Sequence, residues 1–234
     1  MYNDQILISI LIPSFNESET ILKVLNRISE ISEQNNNYEI IIIDDGSTDN
    51  TKDILEKNKS LYTTLISYGS NQGKGYAIKK GLETARGRYI FFQDADLEYD
   101  PIELKKFIKL INRFEPDLII GSRFNYSEYT RSHNILNKFG NKIITLIFNL
   151  LYNTTFTDIY SCYACFKKKL LNENNLRTNG FEQHAEILCK VIKKGKKFYE
   201  LPISYNGRTF EEGKKIKFYH IVSVIFRIIY ERFK

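Results

Sequence analysis

YIFFQDADLEYDP, residues 89–101, passes from four apolar residues into a run that places Asp94, Asp96 and Glu98 at alternate positions. An extended segment points side chains i and i+2 the same way, so Asp94 and Asp96 can converge on one hard cation at the mouth of a buried strand. An acidic turn capping the next helix at Asp100-Pro101 is the commoner meaning of such a tripeptide. The surrounding sequence decides between them.

Upstream of this stretch, apolar strand-like runs recur at 6–12, 38–44 and 61–67, and they continue at 88–93 and 117–121. Helical patterns lie between them. The first has Ile21, Val24, Leu25, Ile28 and Ile31 at helical spacing behind a capping-box-like Asn16 to Glu19. Strand and helix alternating in this way predict an α/β fold with a right-handed, mostly parallel sheet, Rossmann-like and flanked by helices. Ligands of such sheets sit beyond the carboxyl ends of the strands. There the chain places PSFNE (13–17), DDGSTD (44–49), NQGKG (71–75) and DADLE (94–98). Four polar clusters on one rim predict a nucleotide crevice.

Beyond Gly121 the pattern changes. A polar loop leads to a helix carrying Ile143, Ile144, Ile147, Phe148 and Leu151, then to TDIYSCYACF (157–166) and a second amphipathic helix near 181–194. A strand ending at LPISY and the loop NGRTFEEGKKIK (206–217) precede a last helix with Phe218, Ile221, Val222, Ile225, Ile228 and Ile229 on one face. Both apolar helices are interrupted well short of the roughly 20 apolar residues a membrane span needs. Arg227 within the last suits a helix lying on a surface. No linker divides the chain, so residues 1–217 read as one domain and 218–234 as a basic amphipathic C-terminal helix that is not an independent domain.

The 234 residues are 42% hydrophobic and 26% charged, an ordinary globular composition long enough for a sizeable core. Three cysteines form no secreted disulfide framework, and Cys162 and Cys165 read as small packing residues. No signal peptide is visible, which predicts a domain facing the cytoplasm. Net charge is +6, with 12 Lys/Arg against 4 Asp/Glu in residues 190–234. So basic a tail calls for an anionic partner: nucleic acid, anionic lipid or a phosphate substrate. It lacks a recognised nucleic-acid motif, and no nucleic-acid partner is expected.

Over residues 6–217 the chain resembles family-2 glycosyltransferases, in particular the polyprenyl-phosphate branch that includes dolichol-phosphate mannosyltransferase. The resemblance is carried by SILIPSFNE, IIIDDGSTDNT, NQGKGYAIKKGLETARGRYIFFQDADLEYDP, GSRF, the TD-x-x-SCY segment from Thr157, GFEQHAEI, and PISYNGRTFEEGKKI. It implies a GT-A fold, a UDP- or GDP-sugar donor, a Mg²⁺ or Mn²⁺ ion, inversion at the anomeric carbon and a lipid-linked phosphate acceptor. Asp94 and Asp96 would then hold the metal, with Glu98 a third ligand or a support for the other two. Pro13, Asn16 and Glu17 would meet base and ribose, and Asp44 would accept from a base N–H. Asp45 would belong to the tight turn that follows, and Lys74 would offer charge to phosphate. Arg123, Arg131 and Arg208 would clamp phosphate, assisted by Lys214 and Lys215. One position departs from the pattern: His184 stands where relatives often carry an acid.

A phosphate monoester is already a nucleophile near neutral pH, so transfer to it needs positioning and charge neutralisation but no general base. Transfer to a glycan or protein hydroxyl would need a carboxylate base, for which Asp158 and Glu182 are the candidates. A non-catalytic nucleotide-sugar-binding protein is a third reading, which intact Asp94 and Asp96 disfavour. Expected partners are thus the donor, the lipid acceptor and the cytoplasmic face of a membrane, bound peripherally, with a homo-oligomer possible.

Overall fold

The computed structural model describes residues 7–31, 37–125, 129, 131, 135–207 and 220–234. Strands β1 (Ile8–Ser14), β2 (Tyr38–Asp44), β3 (Thr64–Ser67), β4 (Tyr89–Phe92), β5 (Leu118–Ser122), β6 (Ala164–Lys167) and β7 (Phe198–Pro202) form one sheet in the order β3-β2-β1-β4-β6-β5-β7. All pairings are parallel except those of β6, which runs against both β4 and β5. The α/β expectation and the five early strands hold. The first and third start later than expected, the third because Lys59–Leu61 form a 3-10 turn.

The apolar runs are continuous because the sheet is covered on both sides. Ile10 and Ile12 of β1, Ile40 and Ile42 of β2 and Phe91 of β4 enter one core, beneath helices α1 (Ile21–Ser29), α2 (Thr51–Lys57) and α4 (Leu104–Phe114). Leu11, Ile41, Ile43, Ile90 and Phe92 enter the opposite core with α3 (Lys74–Thr84), α5 (Ile135–Tyr152), α6 (Gln183–Lys194) and α7 (His220–Phe233). Alternation along a strand thus feeds two cores from one sequence run.

Helix α7 packs on α5 and α6 through Val224 and Ile228, both fully buried. Tyr152 donates to the carbonyl of Ile228 at 3.2 Å, which ties α5 to α7. No helix of the described residues is long and apolar enough to cross a membrane.

The start of α1 differs from the sequence expectation. Its N-cap is Thr20, and Asn16 is left-handed at φ 55° with its Oδ1 accepting from the Thr48 amide at 2.8 Å. Asn16 therefore bridges two rim loops and does not cap a helix. Short polar residues tolerate this backbone region, which explains the choice of residue.

Candidate active site

From β1 the chain steps outward to β2 and β3, then returns to place β4 on the other side of β1. A crevice opens at such a reversal, outside the carboxyl ends of the strands. A cavity of about 470 Å³ lies there, walled by Pro13 and Ser14 at the end of β1, Glu17 beyond it, Asp45 after β2, Asn71, Gly73 and Lys74 around the start of α3, and Asp94 to Asp96 after β4. Its far side is formed by Asn137, Asn141 and Ile144 of α5, Ile221 of α7, the Asn179–Phe181 loop, Tyr160, Cys162 and Tyr205.

Asp94 and Asp96 lie just past β4, in a turn with Leu97 at φ 60°. Ala95 between them is buried, and both acids line the cavity. Glu98 lines the same cavity but is not gathered with them. Its Oε2 accepts from the Tyr205 hydroxyl at 2.9 Å and its carbonyl accepts from the Asn206 amide at 2.9 Å. Among the described residues no group of three His, Cys, Asp or Glu is arranged to hold a metal. The arrangement is thus two carboxylates on one cavity wall. Two hard oxygen donors, with substrate phosphates and water completing the shell, suit Mg²⁺ or Mn²⁺.

A positive charge already sits on this pair. Lys74 Nζ is 2.5 Å from Asp94 Oδ1. Burial works against the lysine's charge, but Asp94 together with Cys162 and Asp96 outweighs it and holds the ammonium above its ordinary pKa. The backbone on both sides of Lys74 is pinned. Asp45 accepts from the amides of Gln72 and Gly73, each at 2.8 Å, and the Gly75 amide donates to Asn179 O at 2.9 Å. Gly73 needs its freedom at φ 96°, and a Cβ on Gly75 would lie 2.5 Å from the Asn179 backbone.

The remaining expected residues distribute unevenly. Asp44 is buried below the rim, where it accepts from Ser67 Oγ at 2.9 Å and the Ser47 amide at 3.2 Å; Asp45 is the member of the pair that meets the cavity. Arg123 lines the cavity with its fork on Asp158, Nε to Oδ2 at 2.7 Å and Nη2 to Oδ1 at 2.9 Å, under the Tyr205 ring at 5.1 Å. Arg131 stands outside the cavity wall, its amide donating to Tyr205 O at 2.9 Å and its Nη1 to Gly207 O at 3.3 Å. Arg208, Lys214 and Lys215 fall outside the described residues.

His184 is no surface histidine. It packs against the rings of Phe92 and Tyr160, with Nε2 3.2 Å from Ile159 O. Burial and the neighbouring Lys74 push its pKa down to about 4, so the ring is neutral at pH 7. Glu186, in the same helix, is fully buried and accepts from Thr178 Oγ1 at 2.6 Å and from the amides of Arg177 and Thr178 at 3.0 Å each, which fixes the loop that carries Asn179. Cys162 reaches the cavity, with its thiol pushed up to about 11 by burial.

Sequence reasoning passed over Tyr99, Tyr160, Tyr205 and the Asn179–Phe181 loop. Two of the tyrosines sit inside the quoted motifs DADLEYDP and PISYNGRTF, where the acids and arginines draw attention. Tyr99 stacks on Tyr163 at 5.0 Å and is tilted against Tyr205 at 5.1 Å, and the Tyr205 ring lies against the Arg123 guanidinium.

Comparison with known proteins agrees with this geometry. Residues 9–174 match the model for glycosyl transferase family 2. An uncharacterised protein of Methanocaldococcus jannaschii is 29% identical over 204 residues, covering 83% of this chain and 86% of that protein. Glycosyltransferase AglJ of Haloferax volcanii is 28% identical over 231 residues, covering 97% of this chain and 72% of AglJ. The same organism's low-salt glycan biosynthesis hexosyltransferase Agl6 is 27% identical over 202 residues, covering 86% of this chain but only 48% of Agl6. Among solved structures, glucosyl-3-phosphoglycerate synthase from Mycobacterium tuberculosis, in complex with Mn²⁺, UDP and glucosyl-3-phosphoglycerate, superposes with a TM-score of 0.71 at 17% identity over 97% of this chain and 79% of that one. S. aureus TarS 1–349 with UDP-GlcNAc gives a TM-score of 0.62 at 17% identity over 95% of this chain and 66% of that one. These likenesses establish the GT-A fold. With a family match that runs from β1 through β6 and relatives that are themselves glycosyltransferases, the chain belongs to glycosyl transferase family 2 and is a glycosyltransferase.

Proposed function

We propose that this enzyme transfers a hexose, glucose or mannose, with inversion from a UDP- or GDP-sugar to a polyprenyl phosphate at the cytoplasmic face of a membrane. The observation that carries the reading is one cavity with two carboxylates on its inner wall and helices α5 and α7 at its outer wall. Both helices turn apolar side chains outward. Ile135, Phe139, Leu146 and Leu150 do so on α5, and Val222, Phe226 and Phe233 on α7, with Ile135 82% and Phe233 80% exposed. Apolar surface on this scale marks a docking face.

The charge around that face selects its occupant. Lys138, Lys142, Arg232 and Lys234 are exposed beside it, while α5 has no acid and Glu231 of α7 is buried. A second copy would bring like charge to like charge. Anionic lipid complements it, and helices with apolar and cationic outer positions lie in such interfaces.

In this reading the donor base and ribose lie against Pro13, Phe15, Glu17 and Asp45, with the diphosphate toward Lys74, Asp94 and Asp96. Asp94 and Asp96 would hold a Mg²⁺ or Mn²⁺ ion, which would supply positive charge for the departing nucleoside diphosphate. The acceptor phosphate enters from the α5–α7 side toward Arg123, and its own oxygen attacks, so no side chain need take a proton. By the family resemblance, Arg131 and Arg208 would add further positive charge for the acceptor phosphate.

The commitment of Asp158 to Arg123 supports the phosphate acceptor over a hydroxyl, because both of its oxygens accept from the guanidinium and it does not line the cavity. Glu182, beside Gly180 at the cavity, is the base that transfer to a hydroxyl would require. Labelled UDP-glucose or GDP-mannose with Mn²⁺ and polyprenyl phosphate in liposomes should give label extractable into organic solvent. Label only on soluble sugar acceptors, lost in Glu182→Gln, would establish the hydroxyl reading instead.

A further inference from the structure

Lys74 and Asp94 meet on the wall of the cavity, where both belong to the proposed donor site. The lysine's backbone is fixed from both sides, by Asp45 on the preceding amides and by Asn179 on the following one, so only its side chain can move. That side chain ends 2.5 Å from Asp94 Oδ1. A divalent ion on the same oxygen would stand within a few ångströms of the ammonium, where like charges repel strongly in a partly buried site. Displaced from Asp94, the ammonium gains most from a second anion within its reach. A donor diphosphate in the same cavity is such an anion.

We propose that Lys74 is the resident counter-cation of Asp94, and that its transfer from Asp94 to the donor diphosphate couples metal binding to nucleotide binding. The inference rests on the reading of Asp94 and Asp96 as metal ligands. It adds an order to that reading: the metal binds weakly to the free enzyme and tightly once the nucleotide has taken the lysine. Coupling of this kind is reciprocal, so the metal tightens the nucleotide by the same factor.

The test is a Mn²⁺ titration of the full chain, with free Mn²⁺ read by electron paramagnetic resonance, without nucleotide and with saturating UDP or GDP. Lys74→Met removes the competing charge. Without nucleotide it should bind Mn²⁺ about 10-fold or more tighter than the wild type, and nucleotide should tighten its Mn²⁺ binding by a smaller factor. Lys74→Arg keeps the charge and should bind Mn²⁺ alone as weakly as the wild type does; should Lys74→Met not fold, tight Mn²⁺ binding by Lys74→Arg alone would refute the proposal. Equal or weaker Mn²⁺ binding by folded Lys74→Met would overturn the counter-cation role while leaving the metal site standing. No Mn²⁺ binding by any of the proteins, with or without nucleotide, would overturn the metal reading and this inference together.

Discussion

Arg123 lays two nitrogens of its guanidinium on the carboxylate of Asp158, at 2.7 and 2.9 Å, and Asp158 is wholly buried. The Arg123 amide also donates to Asp158 Oδ2 at 3.1 Å, so one carboxylate fixes both the backbone and the side chain of the residue after β5. Breaking a buried pair by removing one member leaves the other charge uncompensated. Asp158→Ala should therefore lose about 3–5 kcal/mol in urea unfolding. A variant that unfolds like the wild type but has lost transfer would place Asp158 in the chemistry and not in the scaffold.

Gly75 is where the donor side meets the Asn179 loop. Adding a methyl group there places carbon 2.5 Å from backbone atoms of Asn179, which cannot yield as a side-chain tip would. Gly75→Ala should cost about 1–3 kcal/mol of stability and weaken nucleotide binding in a thermal-shift titration. Gly69→Ala provides the contrast, since a Cβ added there would meet nothing within 4 Å. It should leave nucleotide binding unchanged.

His184 makes stability depend on acid pH in a calculable direction. Its folded pKa of about 4 lies below the ordinary 6.5, so between these values the unfolded chain binds a proton that the folded chain refuses. Stability is unaffected by this group above pH 6.5 and falls as pH drops toward 4, by up to about 3 kcal/mol. His184→Phe should remove that part of the acid sensitivity in denaturant melts run from pH 7 to pH 4. An unchanged slope would show that the imidazole is not held neutral.

The outward stripe of α7 predicts behaviour at a lipid surface. Phe226 is 70% exposed and touches none of the core that Val224 and Ile228 enter. Phe226→Glu should change stability by no more than about 0.5 kcal/mol, as exposed substitutions do, yet abolish flotation with phosphatidylglycerol liposomes. Retained flotation would move the lipid-binding surface elsewhere.

The half of the fold that reads plainly from sequence is the half built by repetition. Runs such as EIIIID and YIFF are apolar at nearly every position because both faces of their strands are buried, and such runs announce themselves. Strand β6, with the sequence ACFK, does not. Four residues show no period, and its antiparallel direction is set by where the chain stands after α5, which no local pattern encodes. At the site, composition located the rim but not the orientation of each side chain. Of the adjacent acids Asp44 and Asp45, alternation sends one under the sheet edge and one toward the cavity, and a shift of one residue in the strand end exchanges them. Asn16 reads as a cap until its left-handed backbone turns it toward Thr48. The grip of Asp158 on Arg123 spans residues far apart in sequence, and long-range partners of that kind are invisible to spacing.

The reversed strand β6 has an architectural consequence. Because it runs against its neighbours, the chain leaves the cavity rim at Ser122 and returns to it at Tyr163, where Gly121 N donates to Tyr163 O at 2.8 Å and Ser122 Oγ lies 2.5 Å from Thr157 Oγ1. Everything between, α5 included, is a cassette with both ends anchored on the same edge. Its buried side chains, Ile144 and Phe148 of α5 among them, share a core with Leu11, Ile43 and Ile90, so it is free to vary at its exposed positions and not at these. A scaffold arranged in this way can vary one wall of the cavity while the loops that carry Asp45, Lys74 and Asp94 stay in place.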